Sequence, residues 1–193
     1  LILFSFSTLA ATQKVLLIGD SHSSSDTGYG SELYDQFKNT GASVHSYSLY
    51  GSDPGHWNTG DRHSLIYLKS HPLVFINENN QRESTDNNPT FDTYKSSFQP
   101  NIVVITLGTN IIDQITSDNS DVIKNTKELA EKAAKNSQCY WVGPPKIKDD
   151  RKANLNTAIQ KIYQTVSPYC KFIDSEPLSD ETKLNPDNIH YTT

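Results

Sequence analysis

The stretch Val15-Leu16-Leu17-Ile18-Gly19-Asp20-Ser21-His22-Ser23 decides the fold. Its four apolar residues have the character of a strand buried on both faces, and they stop abruptly at a glycine. A serine follows where the chain must turn, and helix-like spacing begins at about Tyr29 and runs to Lys38. Open α/β sheets take their ligands outside the carboxyl ends of the strands, which is where this reading puts the Ser21 hydroxyl. On its own, Gly-Asp-Ser is equally well an ordinary turn.

The same rhythm extends outward. Further strands are predicted at residues 43–49, 102–107, 139–142 and 171–173, in addition to 14–18. Helical patterns fall at 29–39, 122–136 and 151–166, where Leu129, Ala133, Leu155, Ile159 and Ile162 recur at helical spacing. Strand and helix in alternation imply a parallel sheet of about five strands, covered on both faces. Residues 51–100 break the rhythm. They form a polar insertion rich in Asn, Asp, Ser, Thr and His, with one short apolar run, Leu73-Val74-Phe75-Ile76. Long insertions of this kind are usually functional, and this one follows a strand end where it can overhang a site.

A length of 193 residues fits one domain, taken here as residues 12–193, with enough chain to bury a full core. The net charge of −5 and the absence of a long Lys/Arg run argue against nucleic acid or an anionic membrane surface as partner. Leu1 to Ala11 is an uncharged apolar stretch ending in small residues, the form of a signal-peptide remnant, with a packed amino-terminal arm as the other reading. It is too short to span a bilayer, so no stable membrane insertion is expected. Cys139 and Cys170 each head an apolar run. If those runs are neighbouring parallel strands, both sulfurs start at the same end of the sheet and can form a disulfide, which fits a secreted or periplasmic protein. Two free buried thiols are the alternative.

The strand ends collect the chemistry. Gly19-Asp20-Ser21 follows the first strand, Tyr50-Gly51-Ser52-Asp53 the second and Gly108-Thr109-Asn110 the third, and Asp187-Asn188-Ile189-His190 stands near the carboxyl terminus. This set resembles the SGNH (GDSL-like) hydrolase superfamily, whose four blocks carry Ser, Gly, Asn and His in this order, the last within Asp-x-x-His. Val142-Gly143-Pro144-Pro145 is also similar to a turn found in the family. His22 stands where the name-giving motif has leucine, and Ile111 follows Asn110 where many members have aspartate. Neither departure removes a catalytic atom. The resemblance implies a three-layer α/β/α, flavodoxin-like fold and a serine esterase without cofactor.

Each role has a physical requirement. Serine is a poor nucleophile at its free pKa, so Ser21 needs a base, for which His190 is the candidate, oriented by Asp187 three residues earlier. Charge developing on the substrate oxygen needs preorganised donors: the Ser21 and Gly51 backbone N–H groups and the Asn110 side chain. A side chain at position 51 would obstruct that approach. Asp20 reads as a residue that shapes the turn. Trp57 and Arg62, just after the glycine, offer an aromatic platform and a cation for a sugar or polar acyl group, or simply pack their loop. The spacings of His22, His45, His56, His63 and His71 match no compact ligand motif, so no metal is expected. The expected substrate is an acylated carbohydrate or other small ester. Alternatives are a lipase or thioesterase acting on longer acyl chains, or a non-catalytic glycan-binding protein on the same scaffold.

Overall fold

The computed structural model of the chain describes residues 13–24, 29–61, 73–85 and 89–191. The signal-like segment 1–11 and Arg62 lie outside them. In chain order the elements are β1 (Lys14–Gly19), α1 (Gly30–Asn39), β2 (Ser43–Ser48), α2 (Pro54–Thr59), β3 (Leu73–Ile76), β4 (Arg82–Thr85), α3 (Phe91–Phe98), β5 (Ile102–Thr106), α4 (Ile112–Thr116), α5 (Ser120–Ala134), β6 (Gln138–Val142), α6 (Leu155–Val166) and β7 (Lys171–Ile173).

The seven described strands form one sheet in the order β4-β3-β2-β1-β5-β6-β7. The five strands expected from the sequence are all parallel and make its centre and one side. Counted among themselves they run 2-1-3-4-5, the flavodoxin-like order. The expectation of about five parallel strands is corrected at the other edge, where β3 pairs antiparallel with β2 and β4 antiparallel with β3. Strand β4, Arg-Glu-Ser-Thr, has no apolar residue to announce it, because an edge strand exposed to water need not bury any. The described part of 51–100 is likewise better ordered than its composition indicates. It supplies α2, capped by the Asp53 side chain with Pro54 in the first turn, as well as the hairpin and α3.

Strand β1 explains its own sequence. Val15 and Leu17 point into the core under α1, while Leu16 and Ile18 point into the larger core under α2 to α6, and none of the four is more than 3% exposed. Each such side chain contributes roughly 1.5–3 kcal/mol by leaving water. Helix α6 buries Leu155, Ala158, Ile159, Ile162 and Val166 along one stripe. It starts at Leu155 rather than at residue 151, because Asp149 first caps a short 3-10 turn over Asp150–Asn154. Cys139 and Cys170 are joined as a disulfide, with Cα atoms 4.5 Å apart, at the amino ends of β6 and β7. No described helix is long and apolar enough to cross a membrane.

Candidate active site

Ser21 opens a short 3-10 turn (Ser21–Ser23) directly after β1. Asp20 caps that turn through its Oδ1, which accepts the His22 N–H at 2.9 Å. The Ser23 hydroxyl donates back to the Asp20 carbonyl at 2.7 Å. The bend needs glycine just before it, since a Cβ on Gly19 would lie 1.9 Å from Thr106 Oγ1 and 2.3 Å from Ser23 Oγ. The chain therefore turns so tightly that residues 20–24 are all buried, with Ser21 the most open at 6%.

His190 reaches Ser21 from the far end of the chain, with its Nε2 2.7 Å from Ser21 Oγ. Its Nδ1 lies 2.7 Å from Asp187 Oδ2, and Asp187 Oδ1 accepts the Ile189 and His190 N–H groups, each at 2.9 Å. A carboxylate can only accept, so Nδ1 carries the proton and Nε2 is left to accept from the serine. Partial burial opposes ionisation of Asp187, but the His190 side chain and the two backbone donors outweigh it and hold the carboxyl below its ordinary value. The segment is anchored by Lys148 N–H on the Asn188 carbonyl, by the Tyr191 hydroxyl on the Lys146 carbonyl, both at 2.8 Å, and by the Asn185 N–H on the His190 carbonyl at 2.7 Å.

The structure thus brings Ser21, Asp187 and His190 into one hydrogen-bonded row. Asn110 stands beside it in a 3-10 turn after β5, its Nδ2 donating to the Ser52 carbonyl at 3.0 Å and to Asp20 Oδ2 at 3.3 Å. Both contacts are within the protein, so the amide can turn to another acceptor only by exchanging one of them, and the longer one is the weaker. Gly51 adopts φ 69°, a left-handed conformation that favours glycine, and its N–H has no partner among the described residues. Its neighbours enclose the site. The Tyr50 ring is 6.4 Å from the His190 ring, and Ser52 holds Asn110.

Trp57 is not a platform. It is fully buried, packs toward Tyr94 and donates its Nε1–H to Ser52 Oγ at 3.1 Å. Because α2 lies against the core, the indole supports the Ser52 loop from behind instead of meeting substrate. Histidines 45 and 56 are also structural: His45 stacks on Phe98 at 3.9 Å, and His56 completes the α2 cap with Asp53. His63 and His71 fall outside the described residues.

Three supports went unread in the sequence. Arg151 donates to the Thr109 carbonyl at 2.8 Å and pairs with Asp149, tying the Asn110 turn to the start of the α6 region across 42 residues. Ser52 links Trp57 to Asn110. His22 is 1% exposed, with its ring 5.2 Å from that of His190 and, among the described residues, no hydrogen-bond partner for either ring nitrogen. Burial, then the electrostatic influence of nearby His190 and Arg151, push its pKa down to about 3, so it stays neutral beside His190. Asp20, entirely enclosed, is pushed up to about 7 by that burial, against the opposing pull of the His22 N–H and Arg151. Only Ser52, by its place next to Gly51, carried a local signal.

No protein-family model matches the chain, and no curated protein matches it. Solved structures match it in fold. A DUF4886 family protein from Bacteroides uniformis ATCC 8492 aligns with a TM-score of 0.60 at 11% identity, over 94% of this chain and 76% of that one. A family two carbohydrate esterase from Clostridium thermocellum, in complex with cellohexaose, aligns at 0.55 and 16% identity over 92% of this chain, which spans 58% of that protein. A protein from Slackia heliotrinireducens assigned to the SGNH hydrolases aligns at 0.55 and 12% identity over 94% of this chain and 91% of that one. The chain has the SGNH hydrolase fold, in agreement with the resemblance carried by its four motifs.

Proposed function

We propose that this chain, with its SGNH hydrolase fold, is a serine ester hydrolase that removes a short acyl group, acetyl first among them, from a carbohydrate outside the cytoplasm. The observation that carries the reading is the row Asp187–His190–Ser21, with contacts of 2.7 Å on both sides of the imidazole. Ser21 Oγ attacks the ester carbonyl carbon while its proton passes to His190 Nε2, and Asp187 stabilises the imidazolium. The carbonyl oxygen, now negative, is met by the Ser21 and Gly51 N–H groups and the Asn110 amide. Loss of one such donor costs on the order of 10²–10³ in kcat. Collapse of the tetrahedral intermediate breaks the bond to the alcohol oxygen, which takes the proton from His190 and leaves. Water then enters, gives its proton to His190, and releases the acid from Ser21 by the same steps.

The carbohydrate part of the reading is supported by the fold likeness to a carbohydrate esterase and by the polar loops around the site. Export is supported by the disulfide, a bond that persists in oxidising compartments. A fluorophosphonate probe is expected to label the wild-type protein and to leave Ser21→Ala unlabelled. Absence of labelling in both would sink the hydrolase reading and favour a glycan-binding protein. Nitrophenyl esters of increasing chain length then test the acyl group, and a preference for eight carbons or more would overturn the short-acyl assignment.

A further inference from the structure

The 3-10 turn that carries Asn110, Thr109–Ile111, is held unequally at its two ends. On leaving it, Ile111 and Ile112 are fully buried and seat the start of α4 in the core. On entering it, the chain passes through Gly108 at φ 153°, a conformation that residues with a side chain rarely adopt. A glycine restrains the backbone least of all residues. The core therefore fixes the exit of the turn more firmly than its entry, and Asn110 lies between them.

Arg151 reaches the entry from the short 3-10 turn before α6. Its guanidinium is itself held by Asp149, whose Oδ2 accepts Nε–H at 2.8 Å and also an Nη2–H, while Oδ1 accepts the Arg151 backbone N–H at 3.0 Å. Nη1 then donates to the Thr109 carbonyl at 2.8 Å, the carbonyl of the peptide that joins Thr109 to Asn110. Both charged side chains are less than one-fifth exposed, so water competes little for these bonds. Arg151 also acts on the Asn110 side chain. Burial disfavours the ionised Asp20 carboxyl, and the Arg151 charge, after the His22 N–H, opposes that effect. Asp20 Oδ2 is one of the two acceptors that hold the Asn110 amide.

We propose that Arg151 is a positioning residue for ester hydrolysis, fixing the Thr109–Asn110 peptide so that the Asn110 amide is in place when the substrate oxygen becomes negative. The inference rests on the hydrolase reading. A donor stabilises developing charge without reorganisation only if it is placed beforehand. A displacement of about 1 Å can cost on the order of 10² in rate. The rigid fork of a guanidinium suits this task, since it grips Asp149 through two N–H groups while a third meets the carbonyl. Lys161 makes a contact of the same kind at the other end of α4, donating to the Thr116 carbonyl at 2.9 Å and to Asp118 at 2.6 Å. That contact braces the helix without touching the Asn110 peptide, so the two cations separate placement of the amide from general support of the segment.

The test is a double-mutant cycle read in kcat/KM for p-nitrophenyl acetate, counted per folded molecule from near-ultraviolet circular dichroism. Arg151→Gln is expected to lower kcat/KM by about tenfold or more in the wild-type background, short of the roughly 10²–10³ for losing a donor outright. In an Asn110→Ala background, where no amide remains to be placed, the same change should cost less than about threefold. Lys161→Gln should stay within about twofold in both backgrounds. Equal losses from Arg151→Gln in the two backgrounds overturn the proposal, as does an equal loss from Lys161→Gln. If Arg151→Gln does not fold, Asp149→Asn, which keeps the cap but loosens the guanidinium, takes its place in the cycle. The same dependence on Asn110 is then expected, and its absence overturns the proposal. If wild-type protein shows no Ser21-dependent turnover, the hydrolase reading falls and takes the proposal with it. Clear Ser21-dependent turnover with equal losses in the two backgrounds refutes the role of Arg151 alone.

Discussion

Residues 20–24, which include Ser21, are at most 6% exposed and continue directly from the central strand of the sheet. Residues 186–188, which include Asp187, are exposed to solvent. Ser21 is held by the steric closeness of Gly19 to Thr106 and Ser23 and by the core on both faces of β1. His190 is held by a few hydrogen bonds, among them those from Lys148 and Tyr191, each contributing a net of about 0.5–1.5 kcal/mol. Ser21 is therefore positioned by the fold as a whole, and His190 by a polar clamp laid over the end of β6. Substitutions in the clamp should cost activity without stability, while substitutions that touch the sheet should do the reverse.

The largest effect is expected for Asp187→Asn. The side chain keeps its size but no longer fixes the His190 tautomer, so kcat should fall about 10⁴-fold. The urea midpoint should fall only slightly at neutral pH, by the stability that the lowered Asp187 pKa adds. A loss of stability as large as that of a core substitution would break the distinction between clamp and sheet. Removing the disulfide with Cys139→Ala/Cys170→Ala acts at the opposite end of β6 and β7 from the site. With the cysteines 31 positions apart in sequence, the chain-entropy model gives a loss of about 3–4 kcal/mol. The folded fraction should keep its kcat, and a drop in turnover per folded molecule would show that sheet and clamp are coupled.

The smallest effect is a slope. Asp20 has a folded-state pKa of about 7 against an ordinary 3.8, so the folded protein binds this proton more tightly than the unfolded chain does. Its contribution to stability is fullest below about pH 4, declines as pH rises, and levels off above about pH 7. Asp187 has the opposite sign, its lowered pKa adding stability that disappears only as pH falls below the ordinary carboxylate range. Asp20→Asn should flatten the decline between pH 4 and 7 in urea titrations at stepped pH. A wild-type profile already flat there would mean that Asp20 ionises at an ordinary pKa and is less enclosed than its burial indicates.

Strands β1 and β5 were legible because each is an unbroken apolar or β-branched run closed by a glycine turn, and burial on both faces demands such runs, whereas β2, Ser-Val-His-Ser-Tyr-Ser, shows a weaker pattern. The motif residues at their ends were legible because a strand that stops at a tight turn needs particular small residues there, as Gly19 shows. Strand β4 was not legible, since exposure removes the constraint that writes a pattern. Trp57 could be read in the sequence either as a platform or as packing, because whether an indole in a polar loop faces water or core depends on α2 and α3, which lie together only after folding.

What the sequence determined by itself was local, namely which runs become strands, where they end, and which chemically capable side chains stand at those ends. Only the tertiary structure decided that His190 lies 2.7 Å from a serine 169 residues earlier, that Arg151 braces Thr109, and that a cleft remains open beside α1. Backbone pattern is written by neighbours in sequence and by burial. Distances between remote side chains, and the space left between layers, are set by how whole elements pack, and no short stretch of residues records that.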